Sequence, residues 1–157
     1  MSFYEWLVFV HIFSTVVWIG GGTMALVQTA RARRAGNTSH LAAIMADLEW
    51  IGLRIFTPAT LMLLGSGIWM IARSPAWASW SYSQLWIWLS LAIFGASFLA
   101  GILFYGPESG RIVKLVEVHG PDANEVSHRI SRVLWIFRVE WVAVVAVILL
   151  MVAKPGL

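Results

Sequence analysis

Residues Phe3 to Gln28 read FYEWLVFVHIFSTVVWIGGGTMALVQ, a long apolar run with one ionisable side chain well inside it, His11. At about 1.5 Å per residue, a helix over this run spans roughly 39 Å, enough to cross a hydrocarbon layer of about 30 Å with some tilt. The run therefore predicts a membrane-spanning helix that carries a histidine in its interior.

Three further apolar runs complete a bundle. With helix one at about 3–28, we predict helix two at about 50–72, helix three at about 85–105 and helix four at about 133–153. The composition agrees, because 59% of the residues are hydrophobic and only 12% are charged, whereas soluble domains have about 25% charged residues. We predict an all-α fold, with residues 1–157 forming a single four-helix transmembrane domain.

The distribution of basic residues predicts the orientation. Most of them fall in the first and third connections, 29–49 and 106–132, and the other side holds only Arg73 and Lys154. By the positive-inside rule, both loops lie in the cytoplasm and both termini lie outside a bacterial-type inner (plasma) membrane. The same asymmetry explains the net charge of +3 without a nucleic-acid partner.

Local signals predict where the helices begin, bend and end. Ser39 is a suitable N-cap for a helix that starts at the next residue. Pro58 removes one intrahelical hydrogen bond and predicts a kink. The pair Gly106-Pro107 is expected to end helix three, and the segment 122–125 resembles a capping box for a later helix.

Two amphipathic segments, 40–49 and 111–118, are expected to lie at the membrane surface. Aromatic residues around the second connection predict a belt at one membrane interface. The belt comprises Trp6, Trp69, Trp77, Trp80, Tyr82, Trp86 and Trp88.

His11 shares one helical face with Thr15, Trp18 and Gly22, since these residues are spaced i, i+4, i+7 and i+11. A neutral imidazole there could bind haem iron or serve in a proton or quinone site. The alternative is that its ring only hydrogen-bonds a neighbouring helix. Because ionisable residues inside membranes are costly and commonly functional, His11 is the first candidate for a cofactor ligand.

A second axial ligand to such a haem would have to lie at a similar depth. Met70 and Met151 are at a compatible height, and His/Met ligation is known for haem iron. His40, His119 and His128 are expected on the cytoplasmic side, too far away to share the iron. A five-coordinate haem, or no haem at all, stays open.

Arg54, Arg138 and Glu140 are charged residues within or near the membrane helices. Arg138 and Glu140 are about 200° apart around their helix, so we expect Glu140 to pair with Arg54 across the bundle. The three could form an anion or propionate site or a proton path. The alternative, which we favour, is a structural ion pair with Arg138 extended towards lipid headgroups.

The segment HIFSTVVWIGGG and the ending MVAKPG resemble the predicted integral membrane proteins grouped as domain of unknown function 2269. That resemblance implies four transmembrane helices and brings no established activity. A looser likeness extends to copper-resistance D-type membrane domains and to four-helix membrane protoporphyrinogen IX oxidases. Both have a histidine before a Trp-Gly-type turn, like His11 and Trp18-Ile19-Gly20, and in the oxidases the matching histidine is thought to bind haem b.

We therefore predict a small haem-binding or redox-associated membrane protein, with haem b as the possible cofactor and His11 as its ligand. A non-catalytic accessory or assembly subunit of a larger membrane complex is the alternative. An enzymatic role is disfavoured, because helix three has no His, Lys or Arg between Leu85 and Tyr105. The expected partners are membrane lipid and either other membrane subunits or further copies of the chain.

Overall fold

The structure, a computed structural model, describes residues 2–75, 80–120 and 122–154. Over these residues it contains four long apolar helices, each able to span a membrane. Their α-helical elements are α1 (Phe3–Arg34), α2 (Thr38–Ile51), α3 (Thr57–Ala72), α4 (Leu85–Ala100), α5 (Gly106–His119) and α6 (Asn124–Ala153). The all-α membrane fold is confirmed, and the orientation of the termini stays a prediction.

All four helices are longer than the apolar runs that predicted them. Instead of 3–28, 50–72, 85–105 and 133–153, they cover Phe3–Arg34, Thr38–Ala72, Leu85–His119 and Asn124–Ala153. The segments 29–49 and 106–132, expected to be loops with surface helices, are thus mostly parts of the four helices. An apolar run predicts only the part of a helix that is suited to lipid. The polar turns beyond it stay helical because one face of each is packed against other helices.

Two π-helical segments allow the second and third long helices to pass a proline without ending. Gly52–Phe56 joins α2 to α3 ahead of Pro58, and Gly101–Tyr105 joins α4 to α5 ahead of Pro107. In each, an N–H bonds the carbonyl five residues earlier. This wider turn lets the helix continue although the proline has no N–H to donate. The irregularity expected near Pro58 is present, but the prediction that Gly106-Pro107 ends helix three is wrong.

Two predicted caps are also wrong. Asn37, not Ser39, caps α2, because its Oδ1 accepts a hydrogen bond from the His40 amide at 3.0 Å. The N-cap of α6 is Ala123, which makes no side-chain cap. Asp122 instead accepts a hydrogen bond from the Thr38 hydroxyl at 2.8 Å, which ties the start of α2 to the connection before α6.

The well-packed core lies at one end of the bundle. We call this the loop end, since it contains the short connections after α1 and α5, and we call the opposite end, with Ser2 and Lys154, the terminal end. The core joins α1, α2, α5 and α6 through buried apolar side chains. They are Ala32, Leu41, Ile44, Met45, Ile112, Val126, Ile130, Val133 and Leu134.

Helix α5 illustrates why the loop end holds together. Its residue Ile112 is fully buried, and Met45 of α2 is 1% exposed. The amphipathic pattern that suggested a helix lying on the membrane therefore packs against α2 and α6 instead. The carboxylate of Glu108, on the same helix, is buried and paired with Arg129 at 2.8 Å.

Aromatic side chains gather at the terminal end. Trp69 makes an edge-to-face contact with Phe3, and Trp80 lies against both Tyr4 and Trp86. Trp6, Tyr82 and Trp88 are exposed, and Trp77 lies outside the described residues. The grouping agrees with the predicted aromatic belt.

Replacing Ile112 with alanine should destabilise the folded protein by about 2–5 kcal/mol, because a fully buried side chain is truncated in a packed core. Thermal unfolding in detergent measures the effect as a lower Tm. The control is Val118→Ala on the same helix, where the side chain is 74% exposed. Equal Tm values for the two variants would contradict a core centred on Ile112.

Candidate functional site

A cavity of about 300 Å³ lies in the terminal half of the bundle. In this half, α1 packs mainly against α3, and α4 packs mainly against α6, so two helix pairs leave a space between them. Its walls are almost wholly apolar and come from all four long helices. Examples from each are Val8, Leu64, Ile87 and Val147. We refer to this space as the terminal cavity.

His11 lines the terminal cavity and is held by α3. Its Nδ1 atom lies 3.1 Å from the carbonyl oxygen of Leu63 and 3.2 Å from the hydroxyl of Ser66. Since a carbonyl oxygen can only accept, Nδ1 must carry the proton and donate it. The other ring nitrogen, Nε2, makes no hydrogen bond among the described residues and, in the neutral ring, keeps its lone pair.

Two α3 residues fix the position of this ring. A Cβ atom added at Gly67 would lie 3.1 Å from His11 Cε1, so the glycine lets the imidazole rest directly on the α3 backbone. The Ser66 hydroxyl donates to the Met62 carbonyl at 2.6 Å, which leaves its oxygen free to accept from Nδ1. His11 therefore hydrogen-bonds a neighbouring helix through the Leu63 carbonyl, and the choice between a purely structural ring and a cofactor ligand stays a prediction.

The structure brings most of the predicted cofactor residues to one cavity. Thr15, Trp18, Met70 and Met151 all line it together with His11. Thr15 donates its hydroxyl proton to the His11 carbonyl at 2.8 Å, so its polar atom is already occupied. Trp18 packs edge-to-face on Phe94, with ring centroids 5.4 Å apart.

Gly22, the remaining predicted cofactor residue, lies outside the cavity wall. A Cβ atom there would be 3.4 Å from the ring of Phe137, so this glycine accommodates α6. At the neighbouring Gly21, a Cβ atom would lie 2.5 Å from Phe56. These glycines admit aromatic rings from the adjoining helices, as small residues do in membrane helix packing.

Polar groups that sequence reasoning missed also occur in the cavity wall. Trp86 and Ser90 line the cavity and are 7% and 5% exposed. Among the described residues, the indole N–H and the hydroxyl have no hydrogen-bond partner, which is costly in an apolar environment. Lys154 lines the same cavity, with its Nζ 4.9 Å from the centroid of the Trp80 ring.

The three predicted membrane charges do not form the expected constellation. Glu140 is half-buried and accepts a hydrogen bond from the Tyr105 hydroxyl at 2.6 Å, so its predicted pairing with Arg54 is wrong. Arg54 is exposed and stacks on Trp50, and Arg138 is exposed on the outer surface of α6. Whether two side chains on different helices meet depends on how each helix is rotated, and the π segments change that rotation.

The sequence around Tyr105 has the same spacing as the sequence around Phe56. The two π segments and the residues after them read GLRIFTP (52–58) and GILFYGP (101–107), and both have the spacing Gly-x-x-x-aromatic-x-Pro. In both, the aromatic residue is the last of the π segment and contacts another long helix: Phe56 faces Gly21, and Tyr105 faces Glu140. The extra residue in a π segment re-aims such a side chain.

Comparison with known proteins identifies one relationship. The family profile described as "Predicted integral membrane protein (DUF2269)" matches residues 5–155. No curated protein and no solved structure matches the chain.

We expect His11 to have a proton on Nδ1, because the Leu63 carbonyl requires a donor, and to be neutral, because the cavity wall is apolar. Nuclear magnetic resonance of isotopically labelled histidine in detergent micelles distinguishes the tautomers. Ser66→Ala should leave this tautomer in place, since the carbonyl remains. A proton on Nε2 instead of Nδ1 would contradict the hydrogen bond to Leu63, and protons on both nitrogens would contradict the neutral ring.

Proposed function

The chain belongs to the DUF2269 family of predicted integral membrane proteins, and we propose that it binds haem b in the terminal cavity with His11 Nε2 as an axial ligand. The carrying observation is the hydrogen bond from His11 Nδ1 to the Leu63 carbonyl. Histidines that bind metals nearly always donate their other N–H to a carboxylate, carbonyl or water, which fixes the ring and makes the ligating nitrogen more basic.

The residues around the cavity are of the chemical types that haem requires. An apolar wall suits the ring, and the lone pair of a neutral imidazole suits the iron. Lys154 at the cavity wall is a cation that could pair with a propionate. Met70 and Met151 are thioethers in the same wall, so either could be a second ligand. Bound haem would supply a one-electron redox centre within the membrane.

The packing of the bundle also supports a bound group at this place. The cavity volume of about 300 Å³ lies at the lower end of the range of about 300–1,000 Å³ for small-molecule sites. Because the terminal cavity lies between the two helix pairs and the packed core lies at the loop end, a flat group can enter between the pairs without disturbing that core. The unpartnered Trp86 and Ser90 groups could then bond to the group that enters.

The test is the absorption spectrum of protein purified in detergent from haem-replete cells. We expect a Soret band in the wild type and in His40→Ala, a histidine exposed at the loop end, and its loss in His11→Ala. A band that survives in His11→Ala would exclude His11 as the ligand. A colourless wild type whose spectrum does not respond to added haem would contradict the proposal as a whole.

A role as an accessory subunit is the second candidate, favoured by open glycines on the outer surface. Gly20 of α1 and Gly65 of α3 are exposed, and a Cβ atom at either would meet nothing within 4 Å. Such positions let a helix of another subunit approach the backbone closely.

This second role predicts that the protein leaves its own membrane in mild detergent as part of a larger complex. Gly20→Leu should disrupt that complex by blocking close approach, and Val16→Leu, an exposed position one turn away, should not. Native electrophoresis measures the difference. Migration of the wild type as a single chain would contradict the accessory role.

A further inference from the structure

We infer that Glu140 is a proton-binding site within the membrane, at which a neutral carboxylic acid is held between Tyr105 and Ser97. The Tyr105 hydroxyl donates to Glu140 Oε2 at 2.6 Å. The buried Ser97 hydroxyl lies beside the same carboxyl group. This site is separate from the His11 ligand position and does not require that haem binds.

The position of Glu140 along its helix places it deep in the bundle. Within the apolar run 133–153 of α6, Glu140 is about 10 Å from the loop-end side and about 20 Å from the terminal side at about 1.5 Å per residue. A carboxyl group at such a depth is a functional hypothesis by default. Its side chain is half-buried between helices rather than exposed on the outer surface.

No cation pairs with Glu140 in the part of the chain that the structure describes. The ion pairs there join Glu108 and Glu125 to Arg111 and Arg129 at the loop end. Arg138 is two residues before Glu140, about 200° away around the helix, and is exposed. An unpaired carboxylate in a low-dielectric interior binds a proton rather than stay charged.

The helices packed against α6 bring no other titratable group to this depth. Helix α4 has none along Leu85–Ala100, and α1 has none between His11 and Arg31. On α5, which also packs against α6, the first is Glu108, which pairs with Arg129 at the loop end. The α1 contact at the next α6 residue is neutral, because Trp141 donates to the Thr23 hydroxyl at 3.0 Å. Tyr105, which ends the second π segment, is the titratable neighbour that bonds Glu140.

The polar neighbours of Glu140 can satisfy both oxygens of a neutral acid. Its carbonyl-type oxygen can accept from Tyr105, and its hydroxyl can donate to the Ser97 oxygen, so both oxygens are satisfied without a charge. Tyr105 is the last residue of the second π segment, and from there its hydroxyl reaches Glu140. π-bulges occur frequently at functional sites in helices.

The site also adjoins the terminal cavity. On α6, Glu140 shares a face with the cavity-lining residues Val144, Val147 and Met151, which follow it at i+4, i+7 and i+11. On α4, Ser97 follows the cavity-lining Ser90 by two turns on one face. A proton held at Glu140 is therefore about one helical turn, roughly 6 Å, from the start of the cavity wall.

The test is labelling of the full-length protein in detergent with dicyclohexylcarbodiimide, an apolar reagent that reacts with protonated carboxyl groups. Mass spectrometry locates the modified residue. We expect labelling at Glu140 that is at least several-fold above labelling at Glu108, and that falls as the pH is raised. Glu108 is the internal control, because it is also buried but, unlike Glu140, is paired with two arginines.

Variants sharpen the outcome. Tyr105→Phe should keep the label at Glu140 up to a higher pH, since the tyrosine donor stabilises the anion more than the neutral acid. Glu140→Gln should lose the label at that position while it elutes as the wild type does in size-exclusion chromatography. Labelling of Glu140 no greater than that of Glu108 at every pH, or labelling that does not change with pH, would overturn the inference.

Discussion

The packed core at the loop end is the constraint on which the rest of the structure depends. Four long helices meet around Met45 and Ile112, which are almost completely buried. The polar turns on either side remain helical because one face of each packs in this core. In lipid, every backbone group must be bonded within the helices, so the chain cannot open a site by unwinding. It opens one instead by letting two helix pairs separate at the other end.

The two polar sites in the apolar region follow a common design. At each, a side chain from one long helix is held by a partner on another: the His11 ring by the Leu63 carbonyl, and the Glu140 carboxyl by the Tyr105 hydroxyl. A charge at the centre of a membrane helix costs about 2.5–3.5 kcal/mol on insertion scales. Neutral groups with one fixed hydrogen bond avoid most of that insertion cost, and the hydrogen bond fixes the orientation of each side chain.

Much of this could be predicted from the sequence, because membrane helices are set by length and apolarity. The face that contains His11, Thr15 and Trp18 could be predicted because helical spacing fixes which residues of one helix lie together. The depth of Met70 and Met151 followed from counting residues, and both line the cavity.

Two features could not be predicted: which residues of different helices contact each other, and that a helix continues past a proline. The pair Gly106-Pro107 is normally a helix end, and only the preceding π segment keeps the helix continuous. That segment also turns Tyr105 towards Glu140, so the expected Arg54 partner was wrong. The Leu63 carbonyl is invisible to any side-chain pattern, because it is backbone. Membrane composition gave no sign that α2 and α5 pack tightly together.

A crystal structure of the protein purified from its own membrane tests the central claim most directly. The account predicts that the terminal halves of the α1–α3 and α4–α6 pairs are apart, with density from a bound group next to His11 Nε2. Terminal halves that close on each other, with side chains filling the space and Nε2 in contact only with carbon atoms, would contradict it.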